Sequence, residues 1–376
     1  MMNLSKKIGI VFCFLFAVTL FVGCGGVSGK TFDRYGYFGT LTVFAVYADF
    51  SDEEESKKTE DAIAECEAAL EEIDKAIGSA QTSDISRFNA AACGETLEIS
   101  RITYELLGIA KDMYELTNGA YNPAVGNLVD LWGFSPRFES GDYAPTEPYD
   151  RETPSQPEEK YIEAFLSPAL LDFGKVKLSE NEDGCFVTKP NGCVEIEGEI
   201  YTVNLNLGGI GKGYAADKCA EILSKRGVKK SYVGVGQSSL SLLEGNEYWR
   251  VTLNHPRGRG KYLTVSAANV AASTSGDYER FFIENGKRYC HIIDPKTGRP
   301  TSGTAAVSMF GMTAAEGDAL TTALMCMSTE EAAKFIREKT SGVKVFMLDE
   351  ETLTLRTNAD KSDYELGDGT ITVLNI

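Results

Sequence analysis

Histidine is nearly missing from this chain. Two occur in 376 residues, His255 and His291, so imidazole chemistry has only two candidates. A positive surplus is missing too. Thirty-seven Lys and Arg stand against 55 Asp and Glu, for a formal net charge of −18, which argues against non-specific nucleic-acid binding because that needs a basic face. Such a charge favours solubility and says nothing about fold; an anionic substrate would have to be met by local positive groups or a metal. The nine cysteines are scattered without a Cys-x-x-Cys pair. This is neither a zinc pattern nor a dense disulfide framework. No internal repeat is visible. Long apolar runs are absent except near the start, over Ile8–Val22.

That run follows Lys6 and Lys7 and, at fifteen residues, is too short for a comfortable membrane span. It ends in Phe21-Val22-Gly23-Cys24, with Gly25 and Gly26 behind. A small residue ahead of a cysteine resembles a bacterial lipobox. The expectation is a lipoprotein signal peptide over 1–24, lipid on Cys24, a linker over 25–33 and a folded domain over 34–376. The body would be exported and held at the membrane, facing outside the cytoplasm. Of the remaining cysteines, Cys185 and Cys193 could pair across a turn at Pro190-Asn191-Gly192; the others read as buried thiols.

The body reads as α+β, with mixed and antiparallel sheets and flanking helices. Leu41, Val43, Ala45 and Tyr47 alternate as in a strand. Glu53–Ile77 and Ser100–Thr117 carry helical apolar spacing, the first with an acidic first turn and the second with Ser100 as N-cap and Asn118-Gly119 as an αL cap. Residues 135–160, rich in Pro, Glu, Asp and Ser, read as a surface loop. Lys160–Leu171 returns to helix, and Leu178–Val203 is a strand meander turning at Asp183-Gly184, Asn191-Gly192 and Glu197-Gly198. Val203–Leu207 reads as a strand leading through Gly208-Gly209 into a helix that runs to Lys225. Such a glycine-rich entry leaves free backbone N–H groups at a positive dipole end, and Lys212 adds a charge there. Tyr232–Leu243 is a strand pair. Arg257 and Arg259 read as solvated loop residues, with an acidic partner or a phosphate as the other reading.

The densest chemistry lies in Thr274–Pro300, TSGDYERFFIENGKRYCHIIDPKTGRP. Two short apolar-aromatic runs flank Asn285-Gly286, the strongest short hairpin signal. The second run delivers His291 and Asp294 just before Pro295. Further on, Asp318 and Thr322 are four apart and share one helix face. A carboxylate and a hydroxyl there suit a hard cation such as Mg²⁺; alone, an aspartate satisfying helix donors would serve as well.

Four blocks, in order, resemble those of the ApbE family, the FAD:protein FMN transferases: NGAYNPAVGNLVDLWGF (Asn118–Phe134), NLGGIGKGYAAD (Asn206–Asp217), TSGDYERFF with HIIDPKTGRP, and GDALTTAL (Gly317–Leu324). The match spans roughly Tyr35 to Val345. The resemblance implies a flavin-transferase fold and an enzyme that splits FAD, releases AMP and attaches FMN to a Thr or Ser of an acceptor protein, with Mg²⁺ as cofactor. It implies metal ligation by Gly209, Asp318 and Thr322. FAD contacts fall on Phe38, Ser79, Ala120, Tyr121, Asn122, Asn206, Lys212 and Ile292. Catalytic roles fall on Lys212 at the pyrophosphate, on His291 as acceptor of the hydroxyl proton, and on Asp294, which would orient that histidine or help hold the metal. The chain departs from the pattern at Ser79, where relatives carry a flavin-stacking tyrosine, and at Asn122 and Asn206, where they carry acids. A Mg²⁺-dependent FAD pyrophosphatase and a non-catalytic FAD-binding lipoprotein stay open as alternatives.

Overall fold

The computed structural model describes residues 16–18, 28–135, 156–243, 249–258, 260–352, 354–367 and 370–376. Its centre is a nine-stranded sheet whose spatial order is the chain order. The strands are β1 (Ser28–Tyr35), β2 (Leu41–Ala48), β3 (Lys230–Val235), β4 (Ser239–Leu243), β5 (Ala271–Gly276), β6 (Thr304–Phe310), β7 (Lys344–Asp349), β8 (Leu355–Thr357) and β9 (Val373–Asn375). Neighbours are antiparallel, except that β9 lies parallel to β8. The sheet is buried on both faces. Along β2, Phe44 and Val46 enter one core while Val43, Ala45 and Tyr47 enter another, the two-residue period of a strand. The first face is covered by helices α1 (Glu53–Ile77), α2 (Arg101–Leu116), α3 (Gly211–Lys225) and α4 (Ala314–Met325). The second is covered by a smaller sheet of Trp249–Asn254, Lys261–Ala267 and Tyr364–Leu366, and Phe16–Val18, within the stretch read as signal peptide, pairs at its edge. A third core, around Trp132, Phe134, Phe282 and Tyr289, underlies the hairpin Phe281–Glu284/Lys287–Cys290.

Local signals account for most element ends. Asp52 opens α1 by accepting hydrogen bonds from the N–H groups of Glu54 and Glu55, and Ser100 opens α2 by accepting from the N–H of Thr103. Asn118 and Gly119 close α2 with φ of 50° and 78°. The hairpin turns at Asn285-Gly286 with φ of 50° and 77°, the doubly positive pair that a two-residue turn of matching twist requires.

Several expectations are corrected. Residues 28–33, read as linker, belong to β1, an edge strand whose Lys30 and Arg34 pair with Glu60 and Glu67 of the helix Glu53–Ile77. Val203–Leu207 is not a strand: the Leu205 N–H goes to Asn89 Oδ1 (2.7 Å) and the Asn206 N–H to the Pro123 carbonyl (2.8 Å). Those donors are satisfied without a ladder. The helix over Lys160–Leu171 is two pieces, Glu159–Phe165 and Pro168–Leu171, divided where Ser167-Pro168 starts a new first turn. Of the loop read over 135–160, residues 136–155 lie outside the described set and Glu159-Lys160 already belong to a helix. Cys185 and Cys193 sit in separate sheets, one buried and one exposed, and both are free thiols. Arg257 is not a solvated cation; it forms a two-bond pair with the buried Asp277 at 2.8 and 2.7 Å. Arg259 and Cys24 lie outside the described residues.

Helices α3 and α4 meet backbone to backbone. A Cβ on Gly213 would stand 2.1 Å from the Ala314 carbonyl oxygen, a clash that no side-chain movement relieves. Gly108, inside α2, has open space around its Cβ position. Gly213→Ala should therefore destabilise the protein by about 3 kcal/mol or more, while Gly108→Ala should stabilise it by about 0.5–1 kcal/mol. Urea unfolding midpoints of the two variants against the parent test the contrast; a mild Gly213→Ala would place the helices further apart.

Candidate active site

The site is assembled where α3, α4 and strands β4 and β5 converge. The start of α4 is capped twice. Thr313 and Glu316 form a reciprocal capping box, and Asp217 reaches across from α3 to accept the N–H groups of Ala314 and Ala315, each at 2.9 Å. Those caps free Asp318, one turn along, from helix-end duty. Asp318 is buried. Its Oδ2 accepts the Gly213 N–H at 2.8 Å and its Oδ1 accepts the Ser239 hydroxyl at 2.7 Å. Burial pushes its carboxyl pKa up, and the Lys212 charge with these hydrogen bonds only partly offsets that. Asp217 is likewise raised by burial, to about 6.

Thr322 lies one turn beyond Asp318, as the spacing predicts. Its hydroxyl is 3.4 Å from the Ser275 hydroxyl, which also bonds Thr321 at 2.8 Å. The glycine turn closes on the same spot. A Cβ on Gly209 would stand 3.1 Å from Thr322 Oγ1 and 3.6 Å from the Tyr121 ring. Glycine thus lets this backbone come down onto the threonine. Tyr121 is 3% exposed, yet its hydroxyl has no hydrogen-bond partner among the described residues. Burial first and the Asp318 charge second push its pKa upward. Lys212, in the first turn of α3, makes no ion pair among the described residues; its stem runs beside Thr40 and Gly236. Its charge is felt at both Asp318 and His291.

These residues fit a hard cation. Among the described residues no three His, Cys, Asp or Glu side chains converge as a metal cage. The donors on offer are one carboxylate, a threonine hydroxyl, an unpartnered phenol and a glycine backbone, all oxygen. Such a sparse set suits Mg²⁺, which is held by one or two carboxylates and keeps waters and substrate phosphates for the rest of its shell.

His291 follows the hairpin, its N–H bonded to the Arg280 carbonyl at 3.0 Å and its Nδ1 3.3 Å from the same oxygen. A carbonyl only accepts, so the proton of the neutral ring sits on Nδ1 and Nε2 carries the lone pair. Burial, then the charges of Arg280 and Lys212, hold its pKa down to about 3. Asp294 is not its orienting partner. The Asp294 carboxylate is engaged in its own turn, accepting from the Lys296 N–H and the Thr297 hydroxyl, each at 2.9 Å.

The residues expected against FAD divide. Ala120, Tyr121 and Ile292 are packed in the main core, Tyr121 against the glycine turn. Phe38 holds φ 52° and ψ 24° in a tight turn, its N–H bonded to Asp74 at 3.0 Å. A bulky residue in that region is under steric strain of about 1–3 kcal/mol. Ser79 lies in the turn just past α1, whose final residues include Asp74. Asn122 is buried and occupied, accepting from the Ala124 N–H at 2.9 Å and donating to the Leu171 carbonyl at 2.8 Å. Asn206 accepts from the Gly208 N–H at 2.9 Å and shapes the glycine turn.

Sequence reasoning missed four participants: Asp217, Ser239, Ser275 and the Tyr121 hydroxyl. Asp217 lies five residues after Lys212, on the α3 turn facing α4, a spacing that could have signalled it. The serines carry no local signature, since their roles come from strands paired far apart in sequence.

The ApbE family model matches residues 38–347. A Treponema pallidum protein named FAD:protein FMN transferase is 31% identical over 359 residues, covering 88% of each chain. Its Klebsiella pneumoniae namesake is 28% identical over 331 residues, covering 86% of this chain and 84% of that one. Among solved structures, the ApbE protein of Thermotoga maritima superposes with a TM-score of 0.69 at 26% identity, covering 86% of this chain and 94% of that one.

With two histidines in the chain, one variant, His255→Gln, assigns the imidazole NMR signals. The His291 ring should stay neutral from pH 8 down to pH 5, as the Nδ1–H tautomer. A midpoint near its ordinary value of about 6.5 would mean that neither burial nor Lys212 acts on it.

Proposed function

This chain belongs to the ApbE family, and on that premise we propose that it is an FAD:protein FMN transferase. It splits the pyrophosphate of FAD, joins FMN through a phosphoester bond to a Thr or Ser hydroxyl of an acceptor protein, and releases AMP. The observation that carries this reading is the grouping of an unpaired cation, Lys212, with a buried carboxylate, Asp318, and a neutral imidazole, His291. In a protein of net charge −18, an unpaired lysine at a glycine turn is where an anionic pyrophosphate would be drawn.

Phosphoryl transfer asks little covalent help of a protein; it asks for in-line positioning and charge neutralisation. Asp318 and Thr322, with the Gly209 carbonyl, would hold Mg²⁺, which when bound neutralises pyrophosphate oxygens. Lys212 binds the same anion from the start of α3. As the acceptor oxygen bonds to the FMN phosphorus, the bond to the AMP oxygen breaks and the hydroxyl proton passes to the Nε2 lone pair of His291. With its pKa held down by burial and by the neighbouring cations, that imidazole is by itself a weak base. Part of its depression comes from Lys212, so an arriving anion raises its basicity. Asp294 shapes the turn after His291 and takes no proton in this scheme. Phe38, Tyr121 and Ile292 supply apolar surface to the flavin; without a stacking tyrosine at Ser79, Phe38 carries more of that contact. The chain is exported and lipid-anchored through Cys24, on the strength of its basic, apolar and small-residue-then-cysteine start.

Incubation of the protein with FAD, Mg²⁺ and an acceptor protein carrying a reactive Thr should release AMP and add an FMN-sized mass to the acceptor. AMP with an unmodified acceptor would make the enzyme a pyrophosphatase; bound FAD without AMP would make it a flavin carrier. Asp318→Ala should lower transfer at least a thousandfold, on the order of 4 kcal/mol of transition-state stabilisation; retained activity would remove the metal assignment.

Labelled palmitate fed to expressing cells should enter the full-length protein and be lost in Cys24→Ser. Equal labelling of both would sink the anchor.

A further inference from the structure

The Tyr121 hydroxyl is an anomaly in an otherwise satisfied site. It is buried in the main core with no hydrogen-bond partner among the described residues. A buried polar group without a partner is costly, and phenylalanine would fill the same volume without that cost. The hydroxyl is therefore kept against a penalty, in a definite place. Its ring packs beside the Gly209 backbone, on the same side as Thr322 Oγ1, and the Asp318 charge reaches it. Asp318 itself is bonded to Gly213 and Ser239, and no bond joins it to the phenol. Gly209, Asp318 and Thr322, the residues expected to hold the cation, are thus the ones that lie around this phenol.

We propose that Tyr121 belongs to the divalent-cation site, its phenolic oxygen accepting a hydrogen bond from a water molecule of the cation's coordination shell. This rests on the cation reading of Asp318 and Thr322. A cation-bound water is a strong donor and a phenol oxygen a good acceptor. Such a contact matters more at a site with one carboxylate than at one with three, because partners beyond the direct ligands orient the shell. Tyr121 is a positioning residue: it touches neither the reacting phosphorus nor the acceptor hydroxyl.

The test uses Mn²⁺ as the probe, titrated by EPR or calorimetry into the full-length protein in detergent, without FAD. Tyr121→Phe should bind Mn²⁺ about tenfold more weakly, equivalent to about 1.4 kcal/mol, with an unchanged or higher melting temperature when metal-free. Asp318→Asn should lose Mn²⁺ binding at the same concentrations. If Tyr121→Phe binds Mn²⁺ like the parent while Asp318→Asn does not, the proposal is overturned and the cation site stands. If Tyr121→Phe binds Mn²⁺ normally and, in a separate titration with FAD, binds FAD more weakly than the parent, the hydroxyl serves the nucleotide and the proposal is overturned again. If Asp318→Asn also binds normally, the cation is held elsewhere and both readings fall.

Discussion

One buried carboxylate, Asp318, sets the geometry on which the rest of the site depends. It draws its hydrogen bonds from the Gly213 N–H on α3 and the Ser239 hydroxyl on β4. The partnership is reciprocal. α3 lends a backbone donor to the aspartate of α4, and α4 lends its first two N–H groups to Asp217 of α3. The sheet serves both through one strand, since Ser239 and Ser241, two apart on β4, donate to Asp318 and Asp217 respectively. This lattice works only if the helices touch backbone to backbone, which is why residue 213 lacks a side chain. Once the helices are so fixed, Lys212 is placed by its neighbour Gly213 and Thr322 by its position one turn past Asp318.

The same arrangement concentrates negative charge where desolvation resists it. Asp217 and Asp318 are both raised by burial, and Asp318 raises Asp217 further. The sign follows directly. A carboxyl raised in the folded state binds its proton more tightly there than in the unfolded chain. The stability it contributes is present at low pH and lost as pH rises from the unfolded value of 3.8, through about 6 for Asp217. In the cation reading proposed for Asp318, metal uptake would compete with protonation of this carboxyl. Lys212 supplies a partial remedy in the meantime and stays available to an incoming anion, because no carboxylate among the described residues pairs with it.

What the chain discloses on reading and what it hides divide along sequence distance. Helix ends at Asp52, Ser100 and Asn118, the Asn285-Gly286 hairpin and the shared face of Asp318 and Thr322 are contacts within a few residues, and each was legible. The strand expected over Val203–Leu207 misled because its alternating burial is real, whereas its hydrogen bonds go to Asn89 and Pro123, more than 80 residues away. Arg257 looked solvated because its partner Asp277 arrives from another hairpin. The orienting role given to Asp294 failed for the opposite reason. Its carboxylate is claimed locally, by Lys296 and Thr297, before it can reach His291. The family blocks point to segments that meet in the structure, but the contacts of Ser239, Ser275 and Tyr121 with them become visible only when β4, β5 and the 120s loop are brought together.

The two asparagines that stand where the family pattern read from the sequence has acids take a physical meaning from the same geometry. Asn122 and Asn206 each accept a backbone N–H two residues ahead, from Ala124 and from Gly208. An aspartate could make either turn equally well, since the bond needs only a side-chain oxygen. Asn122 does one thing an aspartate could not, donating to the Leu171 carbonyl and so tying the loop to the helical segment beside it. Both amides hold their turns without adding charge to a protein already at −18. Beside a buried Asp318 and an anionic substrate, each further carboxylate would demand another cation, and Lys212 is the only lysine at the glycine turn that could answer. Neutral turns add no such demand.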